Sequence, residues 1–253
     1  MIPKTIHYCW FGRNPKPKLA LKCIESWKRF CPDYEIMEWN EDNFDLSCNL
    51  FVEEAYSTKK WAFVTDYVRL WAIYSMGGVY MDTDVELVNP IDSFLHHQAF
   101  SGFESPQHVP TGLMGGEKNH PVYGELLRYY DDRHFIRSDG ELDVTTNTKI
   151  ITSMMKAKGL LCDNTYQEID GFAFYPTEFF CPKDPSTGII AATKNTHAIH
   201  HFDASWVPPD QKKLQEEYWK EVKRERRRHL PNRIAIRLLG QERYDQVKTL
   251  LGR

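Results

Sequence analysis

Two aspartates separated by a single residue, Asp82 and Asp84, carry the clearest chemical potential in this sequence. They follow an apolar run, Val79–Met81, whose residues favour a β-strand. Side chains two positions apart in a strand point to the same face, so the two carboxylates are predicted to project together near the strand's end. Neighbouring carboxylates repel each other, and oxygen ligands favour a hard divalent cation such as Mg²⁺ or Mn²⁺. The pair therefore predicts a cation site that could also hold substrate phosphates.

An acidic residue and an arginine lie shortly upstream, in a segment whose apolar residues recur at helical spacing. Apolar residues recur there at Val64, Val68, Trp71 and Tyr74. Gly77 and Gly78 then supply a helix stop and a turn. Asp66 and Arg69 are three positions apart and so share one face of the predicted helix. The stretch 61–88 thus offers a cation site, a carboxylate and a guanidinium that could converge on one polar, phosphorylated ligand.

The N-terminal segment predicts the elements that would place such a ligand. Thr5–Phe11 has the composition of a strand, an apolar helical stripe follows up to Pro32, and Tyr34–Trp39 predicts a second strand. Strand, helix and strand at this spacing indicate a parallel crossover, and hence an α/β fold with a mostly parallel central sheet. Ligands of such sheets bind beyond the carboxyl ends of the strands, where Cys9 and Trp10 are expected. The pattern by itself favours a core tryptophan at that position.

Further elements could add to this site. Ala99–Glu104 predicts a strand, and the small, glycine-rich residues 111–116 predict a turn where backbone could approach a ligand closely. A helix is predicted over Thr145–Lys158, with Asn147 near its start. Backbone N–H groups and the helix dipole favour anionic or polar ligands at such a position, and simple capping explains the residue equally well.

Length and composition bound the class of protein. The chain has 253 residues and a formal net charge of −3, which suggests one large globular domain with an appendage at most and no global attraction to nucleic acid. Its six cysteines are scattered without a Cys-x-x-Cys pair and are expected to be reduced thiols. No secretory signal is recognised, and no window approaches the roughly 20 apolar residues of a membrane span. The cytoplasm is therefore the expected compartment.

Residues 210–253 predict an amphipathic, basic helical tail that follows a main domain of residues 1–209. Arginines are concentrated at 224–228, and Pro231 is expected to break the helix. The tail is expected either to pack on the domain with a solvated basic side or to dock onto an anionic membrane surface, where each nearby Lys or Arg contributes on the order of 1 kcal/mol. The second alternative would place the protein peripherally at the inner membrane face.

Three separate motifs, in this order along the chain, resemble those of a known enzyme family. The first is IHYCWFG at Ile6–Gly12; the second is Thr-Asp-x-x-Arg followed by Gly-Gly-x-Tyr-x-Asp-x-Asp, at 65–84; the third is His-His-x-x-x-Ser-Trp, at 200–206. The chain from Ile2 to about Trp206 thereby resembles the glycosyltransferases with a DXD sugar-binding region (glycosyltransferase family 32). It is also similar to the catalytic domain of the clostridial glucosylating toxins.

The resemblance implies a GT-A type nucleotide-sugar-binding fold and a metal-dependent hexosyltransferase with Mn²⁺ or Mg²⁺ as cofactor. The donor would be a nucleotide-sugar, and the sequence around Trp10 favours a UDP-sugar over a GDP-sugar. The acceptor would be a saccharide or a lipid-linked saccharide. Retention of the anomeric configuration and a place in the synthesis of surface or capsular polysaccharide are implied as well.

The resemblance also implies a role for each residue of the central stretch. Asp84 would bind the cation directly, and Asp82 would bind it through water or hold the ribose and the sugar. Asp66 would accept hydrogen bonds from sugar hydroxyls, while Arg69 would fix Asp66 and touch the sugar. No residue is expected to act as a covalent nucleophile.

Other matched positions would bind the donor. Trp10 would stack on the base and Cys9 would make a main-chain contact to its edge, which is physically reasonable because every base has a π-face. Tyr80, Asn147 and the adjacent pair Ser205–Trp206 are expected to complete the donor site.

The third metal ligand is open at this point. In the toxins a matching Ser-x-Trp segment closes over the donor, whereas no residue separates Ser205 from Trp206 here. His200 and His201 face opposite ways in an extended chain, so only one of them would point to the cation. His201 is the expected ligand, with Asp203 or Ser205 as rivals.

Two alternatives stand beside the transferase. A glycosidase would use two of the aspartates as acid and base, which requires one carboxyl to stay neutral and needs no metal. A non-catalytic sugar-binding module would follow if Asp84 held calcium. The arginine close to the Asp pair argues against the glycosidase.

Overall fold

The computed structural model describes residues 1–110, 112–203 and 209–239, with side chains of the last range described at 210–226. Its strands and helices follow one another as β1 (Thr5–Cys9), α1 (Lys18–Phe30), β2 (Glu35–Trp39), α2 (Leu50–Ser57), α3 (Trp61–Met76), β3 (Gly78–Met81), β4 (Val85–Leu87), β5 (Ala99–Gly102), β6 (Leu113–Gly116), α4 (Pro121–Arg128), α5 (Asn147–Ala157), β7 (Gln167–Ile169), β8 (Phe172–Tyr175), α6 (Thr177–Phe180), β9 (Ala198–His200) and α7 (Pro209–Leu239). This mixture of strands and helices confirms the predicted α/β class.

The central sheet has its strands in the order β2-β1-β3-β6-β5-β8-β7. β1 pairs in parallel with both β2 and β3, which confirms the crossover predicted from the N-terminal segment. β5 pairs in parallel with β8, and the remaining neighbours in this described sheet pair antiparallel. A separate two-stranded ribbon pairs β4 with β9 in antiparallel fashion. This ribbon brings the end of β9 next to the segment that follows β3.

Two glycines end α3 and begin β3, as predicted. The Gly77 N–H donates to the carbonyl of Ile73 (2.8 Å), and Gly77 and Gly78 have φ values of 72° and 114°. A Cβ on Gly78 would lie 2.7 Å from the carbonyl oxygen of Thr5 in β1. Only glycine allows this approach, and it places β3 directly beside β1. The carboxyl ends of β1 and β3 therefore meet at one edge of the sheet.

Successive residues of β3 pack into two different clusters of buried side chains. Val79 and Met81 join the cluster that includes Trp27 of α1, whereas Tyr80 joins the cluster that includes Val68 of α3. Because side chains alternate across a strand, the two clusters lie on opposite faces of the sheet. The side chain of Tyr80 is therefore on the same face as α3, where Asp66 and Arg69 were expected.

The chain divides into two compact units. The first comprises Met1–Lys183 and Ile190–Trp206, and the second comprises Asp184–Ile189 and Val207–Arg253. The predicted boundaries, 1–209 for the main domain and 210–253 for the tail, stay a prediction.

In the second unit, Trp219 of α7 is buried against the turn 184–189. Its indole N–H donates to the carbonyl of Pro185 (3.0 Å). The helix continues through Pro231, which corrects the predicted break: the proline lacks one N–H donor, and the helix continues on both sides of it. None of the described helices combines the length and the apolar character that a membrane span requires.

Candidate active site

Asp82 and Asp84 lie in the turn that joins β3 to β4. β3 ends at Met81, and the N–H of Val85 donates to the Asp82 carbonyl (2.9 Å) to close the turn. The Asp82 N–H donates to the carbonyl of Gly112 (2.8 Å), which anchors the turn to the segment before β6. The two carboxylates converge as expected, but a turn produces the convergence instead of the alternation of a strand.

His200, at the end of β9, is the third member of this cluster. β9 pairs with β4 so that His200 lies opposite Val85, next to the aspartate turn. One ligand atom from each of Asp82, Asp84 and His200 lies within 4.8 Å of the other two. Nε2 of His200 is 3.3 Å from Oδ1 of Asp84. Carboxylate and imidazole atoms at these separations fit a single cation bound by all three side chains.

His201, the ligand expected from the sequence, does not join the cluster. Its Nε2 lies 2.8 Å from Oε2 of Glu86, and its backbone N–H donates to the carbonyl of Asp84 (2.9 Å). Neighbouring residues of an extended segment face opposite sides, and the pairing of β9 with β4 turns His200 towards the aspartates. The structure therefore replaces His201 by His200 as the candidate ligand.

Asp203 and Ser205 were the alternative candidates for the third metal ligand. Asp203 contributes through its backbone, because its N–H donates to Oδ2 of Asp84 (2.7 Å) and fixes that carboxylate. Ser205 lies outside the described residues, as does its predicted neighbour in the donor site, Trp206. The roles assigned to Ser205 and Trp206 stay predictions.

Arg69 connects the predicted acidic positions. Its Nη2 lies 3.2 Å from Oδ1 of Asp66 and 3.1 Å from Oδ1 of Asp82. Oδ1 of Asp82 also accepts a hydrogen bond from the Tyr80 hydroxyl (2.9 Å), and the guanidinium carbon lies 4.7 Å from the centre of the Tyr80 ring. The structure thus brings together four residues that the sequence placed in the site.

Asn147, at the start of α5, ties that helix to Asp66. Its N–H donates to Oδ2 of Asp66 (3.1 Å), and its side-chain amide donates to the Asp66 carbonyl (2.7 Å). Its Oδ1 accepts a hydrogen bond from the Tyr130 hydroxyl (2.7 Å), so both ends of the side chain are used inside the protein. Burial raises the pKa of Asp66 to about 6, although the charge of Arg69 acts against the rise. Asn147 positions Asp66, and its predicted contact with the donor stays a prediction.

The Asn147→Ala variant is expected to lose about 1–3 kcal/mol of unfolding free energy, because the Tyr130 hydroxyl would be buried without its partner and Asp66 would lose the amide that ties it to α5. Urea denaturation followed by tryptophan fluorescence measures the change. A loss below about 0.5 kcal/mol, the size of an ordinary surface substitution, would contradict this assignment.

Two contributors to the site were not predicted, Glu104 and Gly112. Oε1 of Glu104, just beyond the end of β5, lies 3.8 Å from Nδ1 of His200. A Cβ on Gly112 would lie 2.7 Å from Oδ2 of Asp82. The turn predicted over 111–116 is a strand from its third residue onward. Gly112 lies close to the side chain of Asp82, and the predicted close approach of this segment to a ligand stays a prediction. The sequence signals for them were an acid at the end of a predicted strand and a glycine within the glycine-rich residues 111–116.

The charge of the site is unbalanced. Two positive groups, the guanidinium of Arg69 and the imidazole of His200, lie among four carboxylates: those of Asp66, Asp82, Asp84 and Glu104. Burial by itself would raise the pKa of Asp84, but the charge and hydrogen bond of His200 hold it at about 2. Burial would lower the pKa of His200, but Asp84 raises it well above its ordinary value. An excess of buried negative charge is what a divalent cation would neutralise.

Cys9 and Trp10 lie at the edge of the sheet that also carries Asp82. Cys9 is buried, and its thiol contacts Thr65 and Tyr80. Trp10 is partly buried, and its indole N–H donates to the backbone carbonyl four residues later (2.6 Å). Cys9 is thus close to Asp82, and Trp10 follows it at the end of β1, where the base of a donor was expected. Their contacts with that base stay predictions.

A known family matches the part of this chain that carries the aspartates. Residues 17–101 match the family described as "Glycosyltransferase sugar-binding region containing DXD motif". The match spans α3, β3 and the aspartate turn, and it ends before His200. The resemblance to DXD glycosyltransferases is thereby confirmed for this region, while the similarity to the clostridial toxins stays a prediction.

Two curated relatives are fungal. Inositol phosphoceramide mannosyltransferase 3 of Schizosaccharomyces pombe is 30% identical over 139 residues, which cover 50% of this chain and 36% of the relative. Mannosyl phosphorylinositol ceramide synthase CSH1 of Saccharomyces cerevisiae is 25% identical over 139 residues, which cover 51% and 35%. The chain thus spans little more than a third of the length of these relatives.

Among solved structures, the galactosyltransferase LgtC in complex with donor and acceptor sugar analogues is similar to this chain at 12% identity, covering 87% of this chain and 95% of the other. The TM-score is 0.44.

Proposed function

We propose that this protein is a metal-dependent glycosyltransferase, which moves a sugar from a nucleotide-sugar donor to a hydroxyl group of a saccharide or lipid-linked acceptor. The observation that carries the proposal is the convergence of Asp82, Asp84 and His200 within 4.8 Å, beside Arg69. The match of residues 17–101 to a DXD sugar-binding region supports it.

The three clustered side chains suit Mn²⁺ or Mg²⁺ as the cofactor. Asp82 and Asp84 offer the hard oxygen ligands that both ions prefer, and His200 adds one imidazole nitrogen. An ion with six ligands would keep further positions for water and for phosphate oxygens of the donor. When bound, such a cation neutralises the negative charge that grows on the diphosphate leaving group.

The other side chains of the site would hold the sugar. Asp66 is fixed by Asn147 and Arg69, and its carboxylate would accept hydrogen bonds from sugar hydroxyls. Arg69 is held between Asp66 and Asp82, so its guanidinium would face the donor without having to reorganise. Groups fixed before the donor binds lower the barrier, because orientation does not have to be achieved during the reaction.

The base of the donor would bind at the end of β1. Trp10 lies there, and an indole can stack on any base. The fold would then be of the GT-A type, with base and diphosphate beyond the carboxyl ends of neighbouring strands. We favour a UDP-sugar for the toxin-like sequence around Trp10, with a GDP-sugar as the alternative.

The proposal also covers the acceptor and the location of the protein in the cell. The curated relatives are named for mannosyl transfer to inositol phosphoceramide, which favours a lipid-linked acceptor over a free saccharide. A lipid-linked acceptor would suit a cytoplasmic protein that contacts the inner face of a membrane through its basic tail. Surface-polysaccharide synthesis and retention of the anomeric configuration belong to the same proposal.

A donor panel tests this function. UDP-glucose, UDP-galactose, UDP-N-acetylglucosamine and GDP-mannose are incubated with the protein and Mn²⁺, and release of UDP or GDP is measured. We expect release from one nucleotide class, suppressed by EDTA and restored by added Mn²⁺. NMR of the product sugar then reports retention. Metal-independent cleavage of an oligosaccharide would favour the glycosidase, and donor binding without turnover would favour a binding module.

Binding of Mn²⁺ is expected to tighten as the pH rises. Burial alone would lower the pKa of His200, but Asp84 raises it well above its ordinary value, so the imidazole of the cation-free protein is protonated near neutral pH. A cation can bind only after that proton leaves, so the dissociation constant should fall by about tenfold per pH unit below that pKa. Titrations over a pH series measure the slope. The slope should become shallower in His200→Asn, and a pH-independent affinity in the unaltered protein would contradict this prediction.

A further inference from the structure

The imidazole of His200 is buried, and its two ring nitrogens differ in their contacts. Nε2 faces Oδ1 of Asp84 at 3.3 Å, while Nδ1 has no hydrogen-bond partner of normal geometry among the described residues. The thiol of Cys181 also lies close enough to the ring to raise its pKa, but sulfur is only a weak acceptor. The ring of Phe202 stacks on the imidazole, with 4.2 Å between ring centres and 29° between their planes. A ring that binds a cation through Nε2 carries its proton on Nδ1, and a buried N–H requires an acceptor.

Glu104 faces this nitrogen from the end of β5. Its Oε1 is 3.8 Å from Nδ1, which is too long for a hydrogen bond but close enough for a small side-chain rotation to make one. The backbone on both sides is fixed: the Glu104 N–H donates to the carbonyl of His108 (2.9 Å), and the Phe103 N–H donates to the carbonyl of Tyr175 (2.8 Å). Among the described residues, no group donates a hydrogen bond to the Glu104 carboxylate.

We propose that Glu104 is a positioning residue of the metal site: its carboxylate accepts the Nδ1–H of His200 and so presents Nε2 to the cation, beside Asp82 and Asp84. Glu104 acts through the histidine and does not contact the cation. A carboxylate behind a metal-binding histidine fixes the tautomer and the orientation of the ring and increases its basicity. This inference rests on the proposed function, since it requires that the cluster binds a metal.

A second histidine–glutamate pair, comparable to His200 and Glu104, lies outside the cluster. His201, the neighbour of His200, has its Nε2 2.8 Å from Oε2 of Glu86. Glu86 and Glu104 are therefore both glutamates paired with a histidine of the same segment, but only His200 belongs to the candidate metal site. Glu86→Ala controls for the loss of a carboxylate close to β9.

The test is the affinity of the whole protein for Mn²⁺ without any donor, measured from the EPR signal of the free ion. Glu104→Gln keeps a carbonyl oxygen that can accept the Nδ1–H but loses the charge, while Glu104→Asp keeps the charge but is one methylene shorter. Positioning through His200 predicts that Glu104→Asp binds Mn²⁺ about 10–100-fold more weakly than the unaltered protein and that Glu104→Gln is weakened less. Glu86→Ala should bind like the unaltered protein.

A double variant separates positioning from direct contact. Adding Glu104→Ala to His200→Ala should change the Mn²⁺ affinity no further, because the histidine through which Glu104 acts is gone. A further loss in that background, or stronger binding by Glu104→Asp than by Glu104→Gln, would overturn the inference and assign Glu104 a direct electrostatic role. An unchanged affinity in both Glu104 variants would also overturn it and leave the proposed function intact. Failure of the unaltered protein to bind Mn²⁺ would overturn both.

Discussion

The Asp84→Asn variant should lose donor turnover by on the order of a thousandfold or more, because several kcal/mol of charge stabilisation depend on the cation. Asp84 is the member of the cluster that contacts His200 directly, at 3.3 Å, and its pKa of about 2 keeps it ionised at any working pH. An amide of the same shape supplies one oxygen without charge. The rate of UDP or GDP release and the affinity for Mn²⁺ should therefore fall together.

Asp163→Asn is the matched control for this change. Asp163 is exposed and accepts hydrogen bonds from Thr165 in its own loop, away from the cluster. The control should keep the activity and the Mn²⁺ affinity of the unaltered protein. A residual rate in Asp84→Asn above about a tenth of the unaltered rate, at ordinary metal concentration, would contradict the assigned role.

The Gly112→Ala variant should also lose turnover, by about 100-fold, although it removes no functional group. The added Cβ would lie 2.7 Å from Oδ2 of Asp82, 3.1 Å from Cγ2 of Val85 and 3.2 Å from Cε1 of His200. The closest contact is the one with Asp82, and rotating that side chain to relieve it would disturb its contacts with Tyr80 and Arg69 and take an oxygen out of the cluster. A displacement of roughly 1 Å at a catalytic group costs about 100-fold in rate, which is the loss we expect in turnover.

Gly124→Ala separates this local effect from general crowding. A Cβ at Gly124 in α4 would lie 2.9 Å from the ring of Tyr74, so the added methyl group is crowded to a similar degree but away from the aspartates. Both variants are expected to unfold at lower denaturant concentration. Only Gly112→Ala should bind Mn²⁺ more weakly, and equal Mn²⁺ affinity in the two variants would contradict the explanation.

Features that depend on neighbours in the chain were predicted well. The spacing of apolar residues and the two glycines gave α3 and its end at Gly77, and the crossover of β1 and β2 followed from the N-terminal pattern. Asp66, Arg69, Tyr80 and Asp82 meet in the structure because one helix–glycine–strand unit carries all of them. Interactions along such a unit involve short sequence separations, so local propensity and periodicity decide them.

Features that depend on distant segments were predicted less well. Asn147 holds Asp66 and Tyr130 through its side chain, a role that its own stretch of sequence did not predict. Glu104 and Gly112 had no distinctive local pattern, and only the packing of β5 and β6 against the rest of the sheet brings them to the aspartates. A single sequence does not reveal which strands become neighbours when the order in the sheet departs from the order in the chain.

The sequence by itself determined that acidic residues and an arginine would gather at the end of a strand in an α/β protein. Only the tertiary structure decided that His200, and not His201, completes that group, through the antiparallel pairing of β9 with β4. The physical reason is the two-residue period of a β-strand: a register shift of one residue exchanges its two faces, and the register is set by contacts between segments far apart in the chain.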